Sequence, residues 1–409
     1  MNKEFLEKYA KLIVKIGINI QQDQILVINS PIECDYFTRL VSKIAYKEGA
    51  KDVIVNWNDE KLSKIKYLYA KESVFDEFPD WKKELYTGYA RQDAAFLTIH
   101  ATDPELMKDV DQSRIMRATK AANKALSEFR ARTMADKNVW CVVSVPTKAW
   151  SKKVFSSIDE NEAVEKLWDA VFKATRVGEW DPVKAWDEHK DKLKSRMDFL
   201  NKNKFKYLKY KNSLGTDLKI ELPKEHIWLG GSSFSEKGTE FMANIPTEEV
   251  FTLPLKTGVN GKVVSSKPLN YNGNLIEDFS MEFKDGKIIN YTAKRGLETL
   301  KHIIETDEGS HYLGEVALVP FDSPISNSKV LFYNTLFDEN ASCHLAIGEA
   351  YPVCLRGSEN MSKEKLSDLG VNQSLEHVDF MVGTEDLNIM GITQEGREIP
   401  IFENGNFKF

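Results

Sequence analysis

Apolar positions in the first half of the chain alternate between two rhythms. Leu6, Tyr9, Ile13 and Ile16 recur every three or four residues, which predicts an amphipathic first helix opening at Met1-Asn2-Lys3-Glu4-Phe5. Gln24-Ile25-Leu26-Val27-Ile28 ends in a continuous apolar run, as expected of a strand covered on both faces. Phe37, Leu40, Val41, Ile44 and Ala45 return to helical spacing, and Gly49 closes that helix. Runs at 53–57, 94–99 and 140–145 predict further strands, with a helix from 113 to about 130 between the last two. Buried strands separated by helices predict an α/β domain with a largely parallel sheet.

The pattern then changes. Helical spacing persists over 159–200, where Trp168, Trp180 and Trp186 are expected to pack. From about Lys204 the chain reads as strands joined by tight turns. Asn212-Ser213-Leu214-Gly215-Thr216-Asp217 has turn character, and Lys284-Asp285-Gly286-Lys287 carries the Asp-Gly pair of a two-residue hairpin. Helices are expected near 294–306 and 341–351. With 409 residues two domains are expected: an N-terminal α/β domain over 1–203 and a mixed α+β domain over 204–409.

Composition narrows the function. A hydrophobic content of 42% with 29% charged residues fits a globular protein with a sizeable core. A net charge of -6 argues against nucleic acid as a partner. The basic stretch from Lys202 to Lys211 is broken by Phe205, Tyr207 and Tyr210, and reads as a helix end entering a strand. No apolar run approaches the roughly 18 residues of a membrane span, and the N-terminus lacks the apolar centre of a signal peptide. Cys34, Cys141, Cys343 and Cys354 form no Cys-x-x-Cys pair, so a reduced, cytoplasmic setting is expected. Asn29-Ser30-Pro31-Ile32-Glu33 follows the first strand where a dinucleotide fold would place its glycines, which argues against that cofactor.

Candidate chemistry lies in four segments of the second half. In His377-Val378-Asp379 an imidazole and a carboxylate share one strand face, suiting either a divalent metal or a plain hydrogen-bonded pair. Glu248-Glu249 precedes an extended segment, so only one of the two points inward. Glu315 heads an apolar strand. In Phe337-Asp338-Glu339-Asn340-Ala341-Ser342-Cys343-His344, Asn340 is expected to cap a helix running to Tyr351, with His344 and Tyr351 on one face two turns apart. Glu249, Glu315, Glu339, His344, His377 and Asp379 together offer four carboxylates and two imidazoles. That set suits two divalent ions sharing a carboxylate, which would polarise a carbonyl and bring the pKa of water toward 7. Each residue also has a plain alternative: a solvated strand-edge acid, a charge at a helix N-terminus, or a buried hydrogen-bonded histidine.

These segments resemble the bacterial metallo-aminopeptidase family of aminopeptidase T, staphylococcal aminopeptidase S and streptococcal PepS. The resemblance is carried by Asn244-Ile245-Pro246-Thr247-Glu248-Glu249-Val250-Phe251, by Leu313-Gly314-Glu315-Val316-Ala317-Leu318-Val319-Pro320, by Asp322-Ser323-Pro324 through His344, and by Gly370-Val371-Asn372-Gln373-Ser374 up to Asp379-Phe380-Met381. It covers essentially the whole chain. It implies a cytoplasmic homodimeric exopeptidase that shortens peptides from the N-terminus with two divalent ions: zinc, cobalt, manganese or magnesium. It assigns Glu249, Glu315, Glu339, His344, His377 and Asp379 as ligands, Glu315 as the bridging carboxylate and Tyr351 as a donor to the tetrahedral intermediate. Glu315 and Glu339 both remain candidates for the proton carrier, and His100, His189, His226, His302 and His311 fall outside the ligand set. Two alternatives stand beside an aminopeptidase: another two-metal amide or ester hydrolase, and a metal-binding protein without activity.

Overall fold

The computed structural model describes residues 2–271, 274–358 and 361–409. Met1 lies outside them, and Asn2 caps the first helix, Lys3–Leu12, by accepting from the Glu4 and Phe5 N–H groups. The chain divides into two compact units, one of residues 1–188 and 232–246, the other of 189–231 and 247–409.

The first unit is built on a five-stranded sheet in the order Asn244–Ile245, Trp140–Ser144, Ala95–His100, Ile25–Pro31, Asp52–Asn58. All of its pairings are parallel. Its central strands are buried, as Leu26, Val27, Ile28, Phe96 and Leu97 show. The expected strands and the parallel sheet are therefore present; the short outer strand Asn244–Ile245, drawn from much later in the chain, had no local signal. Trp168 and Trp186 are buried as expected, but Trp180 is 94% exposed and packs on nothing extensive. It lies in the turn between the helices Glu160–Ala174 and Pro182–Asn203, off the stripe that either helix buries.

The second unit packs two antiparallel sheets over one core. The larger, eight-stranded sheet contains both expected hairpins: Phe205–Lys211 with Asp217–Glu221, and Ser280–Lys284 with Lys287–Thr292. Asp285 and Gly286 turn the second hairpin with φ of 49° and 82°, the left-handed backbone that an Asp-Gly pair tolerates. The smaller sheet has five strands in the order His377–Met381, His344–Gly348, Leu313–Leu318, Val250–Thr252, Leu229–Gly230.

Strand alternation sorts the side chains of this smaller sheet. Val316, Leu318, Leu345, Ile347, Val378 and Phe380 join the core, where they meet Leu208, Leu218, Ile220 and Ile389 of the larger sheet. Each such side chain contributes roughly 1.5–3 kcal/mol when buried. Together they can offset the several kcal/mol that each buried ion costs on the other face. That other face carries Glu315, His344, His377 and Asp379.

The structure overturns the helix expected over 341–351. His344–Gly348 is the second strand of the smaller sheet, paired on both sides and buried throughout. Asn340 caps no helix; it lies in a single 3-10 turn, Glu339–Ala341, and Tyr351 follows the strand and precedes another such turn. His344 and Tyr351 therefore share no helical face. A short apolar run fits strand or helix alike, and two flanking partners decide for the strand.

Candidate metal centre

Cross-strand register brings the four polar side chains of the smaller sheet together. Glu315 pairs with Ala346 and Ala346 with Asp379, while His344 pairs with Ala317 and Met381, and His377 with Gly348. Directly paired residues point to the same face, so Glu315 and Asp379 stand on either side of one methyl group. Glu249 comes from the turn just before Val250–Thr252, on the far side of the Glu315 strand.

The contacts are close. His344 Nε2 lies 3.1 Å from Glu249 Oε2 and 3.9 Å from Glu315 Oε1. His377 Nε2 lies 3.1 Å from Glu315 Oε2 and 3.4 Å from Asp379 Oδ1. Both imidazoles are fixed from behind. His344 Nδ1 is 3.2 Å from the Ser342 carbonyl, and His377 Nδ1 is 2.8 Å from the Glu349 carbonyl. A carbonyl only accepts, so each Nδ1 carries the proton and each Nε2 is turned to the carboxylates, the usual arrangement behind a metal-binding histidine.

Two donor groups emerge, Glu249 with Glu315 and His344, and Glu315 with His377 and Asp379. Within each, one ligand atom per residue lies within 4.8 Å of the others. Nitrogen and carboxylate oxygen at these separations suit a small divalent cation about 2.0–2.2 Å from each. Glu315 belongs to both groups.

Electrostatics favour a cation as well. Burial pushes the Glu315 carboxyl above its ordinary range, Asp379 and Glu249 push in the same direction, and His377 opposes them. Burial also raises Asp379, but His377 beside it outweighs this and holds the group low. Burial pulls His344 down, yet its bond to Glu249 and the charges of Asp379 and Glu315 raise it to about 10. His377 is likewise raised: burial opposes protonation, and Tyr351, Asp379 and Glu315 favour it. The excess of carboxylates over imidazoles draws positive charge into the cage, a role that protons or a metal can fill.

Glu339, the sixth candidate ligand, faces the same charges, those of Asp379, Glu249, His344 and Glu315. It follows the short helix Thr335–Asp338 at the C-terminal end, where helix geometry offers a carboxylate nothing. Burial, then Asp379 and Glu249, raise its carboxyl well above the ordinary range. The Tyr351 ring meets the His377 ring edge-on, centroids 4.9 Å apart. His377 lowers the Tyr351 phenol, but burial and the carboxylates of Glu315, Asp379 and Glu339 raise it on balance.

Three residues near the cage had drawn no functional reading from the sequence. His189 is buried, with Nε2 2.8 Å from the Thr247 carbonyl and 3.6 Å from Glu248 Oε2. Glu248 thus faces His189 while Glu249 faces His344, and both are buried, so the expectation that only one of the pair points inward does not hold. Asn340 accepts the Glu248 N–H at 2.7 Å. For His189 a signal did exist: it lies four residues before Leu193, on the buried side of its helix.

With this fold and donor set the chain has the features of a metal-dependent hydrolase. It belongs to the thermophilic metalloprotease (M29) family, whose match spans residues 2–407. It is 50% identical to aminopeptidase 2 of Geobacillus stearothermophilus over 404 residues, covering 99% of this chain and 98% of that one. Aminopeptidase AmpS of Bacillus subtilis is also 50% identical over 404 residues, with the same coverage. The solved structure of wild-type AmpT from Thermus thermophilus superimposes with a TM-score of 0.93 at 35% identity, covering both chains completely.

Proposed function

We propose that this chain is a metal-dependent aminopeptidase that removes the first residue from short peptides, using two divalent ions. The observation that carries the reading is the membership of Glu315 in both donor groups. Kinship with proteins named aminopeptidases along the full chain supports the substrate class. Glu249, Glu315 and His344 would hold one ion, and Glu315, His377 and Asp379 the other. The imidazoles favour zinc or cobalt over manganese or magnesium, which prefer carboxylate and water oxygen.

A bound divalent ion supplies Lewis acidity to a carbonyl and lowers the pKa of water. The chain's own residues supply the rest. Tyr351, held protonated by burial and the surrounding carboxylates, donates a hydrogen bond to the oxyanion that develops at the scissile carbonyl. Glu339 completes the set of six candidate ligands, and its raised carboxyl is also suited to take a proton from water and return it to the leaving amine. Glu315, engaged with His377, is the poorer carrier.

The family resemblance extends the reading to a cytoplasmic homodimer. Four buried free thiols agree with a reducing compartment. Leu62, Ile65 and Tyr69, exposed along one helix of the first unit, offer apolar surface to a second copy. No described helix is long and apolar enough to cross a membrane.

Mass spectrometry of a digested short peptide tests the proposal. The free peptide should shorten one residue at a time from its N-terminus, the acetylated peptide should persist, and chelation should stop the shortening. Internal cuts, or full activity in chelated protein, would refute it.

A further inference from the structure

Asn340 is fully buried between two of the acid-bearing segments. Its side-chain carbonyl accepts the Glu248 N–H at 2.7 Å. Its amide donates to the Leu336 carbonyl at 2.9 Å and lies 3.4 Å from Glu339 Oε1. The bond to Leu336 has a local purpose, since it satisfies an end of the short helix Thr335–Asp338. The other two contacts do nothing for that helix. They join the residue before Glu249 to the carboxylate of Glu339, segments roughly ninety residues apart along the chain.

A second contact holds the same turn. His189, from the helix Pro182–Asn203, donates from Nε2 to the Thr247 carbonyl at 2.8 Å. The peptide group joining Thr247 to Glu248 is thus held at both its carbonyl and its N–H, which fixes the backbone from which Glu249 extends. Burying a side-chain amide is expensive unless all its groups are bonded, and a leucine or methionine could fill the same space. What an apolar side chain could not do is set the distance between Glu249 and Glu339.

We propose that Asn340 is a positioning residue that sets Glu249 and Glu339 relative to each other, and so couples a metal-holding carboxylate to the proton carrier. The inference rests on the aminopeptidase reading above. The two arms of the side chain predict different losses. Asn340→Ala removes both arms. Asn340→Asp keeps an acceptor for the Glu248 N–H but replaces the donor facing Glu339 with a like charge.

The test titrates Zn²⁺ calorimetrically into chelator-stripped protein and measures kcat and KM on an aminoacyl arylamide at saturating metal, with circular dichroism to confirm folding. Asn340→Ala should bind Zn²⁺ about 10–100-fold more weakly and lose kcat, as typically follows loss of a group supporting a metal ligand. Asn340→Asp should stay within about tenfold of wild type in affinity yet lose at least about tenfold in kcat, with KM changed less than about threefold. The split matters because a merely structural residue would lower melting temperature without separating affinity from turnover. Affinity and kcat at wild-type levels in both variants would overturn the proposal, and so would failure of both to fold. A wild-type protein that binds no Zn²⁺ would sink the functional reading itself, which separates the two failures.

Discussion

Glu315 and Asp379 lie two strands apart in a single register row of the smaller sheet, with only the methyl group of Ala346 between them. Strands are spaced about 4.8 Å apart, so the two backbones stand roughly 10 Å from each other. Two carboxylate side chains leaning inward close most of that gap. The small residue at the centre is therefore the floor of the proposed metal centre.

Ala346 is completely buried, so enlarging it tests this geometry directly. Ala346→Val suits a strand but places two methyl groups where the carboxylates converge. Overpacking of this kind costs about 1–3 kcal/mol, which a domain of this size should survive. The variant should fold, hold fewer divalent ions than wild type and lose most of its activity. Elemental analysis beside circular dichroism decides the matter; wild-type metal content in folded Ala346→Val would show that the floor is not needed.

Sharing of Glu315 predicts an asymmetry between ligands. Glu315→Ala should disturb both ions, whereas His344→Ala should mainly weaken the one it holds with Glu249. Zn²⁺ stoichiometry and peptide turnover should both be measured. Activity of Glu315→Ala within about tenfold of wild type, equal to roughly 1.4 kcal/mol of barrier, would count against a bridging role.

Tyr351 lies against His377 through its ring, yet the proposal gives its hydroxyl to the transition state. Tyr351→Phe should keep its ions and its fold while kcat drops on the order of 10²–10³, the usual effect of losing one oxyanion donor. Loss of metal with turnover intact per bound ion would instead make Tyr351 a packing residue for His377.

How far the sequence disclosed all this depended on the range of the interactions. The parallel sheet of the first unit was legible because each strand, such as Ile25–Pro31, declares itself in a short apolar run. The Asp285-Gly286 hairpin was legible because its turn needs those residue types. The strand His344–Gly348 was misread as helix: its five residues suit either state, and the partners on both sides that settle it are fixed only in three dimensions. The candidate ligands were found as residue types, but their grouping around Glu315 depended on register. Asn340 and His189 were passed over because their partners, Glu248 and Thr247, lie 92 and 58 residues away.

The approach to His377 is held by a carboxylate outside the cage, and this gives a pH-dependent prediction. Asp307 Oδ1 accepts the Ser310 N–H at 2.9 Å, the Ser310 hydroxyl at 3.0 Å and the Ser374 hydroxyl at 2.9 Å. Its Oδ2 accepts the Leu375 N–H at 2.6 Å. Partial burial would raise this carboxyl, but the four donors outweigh it and hold the group below its ordinary 3.8. The unfolded chain then binds a proton more readily than the folded one, so this contribution to stability is complete above the unfolded value. It is lost as pH falls through 3.8 toward the depressed folded value. Asp307→Asn keeps the shape and removes the charge, and should destabilise the protein by about 1–2 kcal/mol at pH 7, the scale of charge-assisted hydrogen bonds. At pH 3 and below the gap between wild type and variant should narrow, because the wild-type carboxyl is then being protonated too. Urea midpoints for both proteins at pH 7 and pH 3 measure it. A gap that stayed constant with pH would mean that the charge of Asp307 contributes nothing, and that the turn before His377 is held by shape alone.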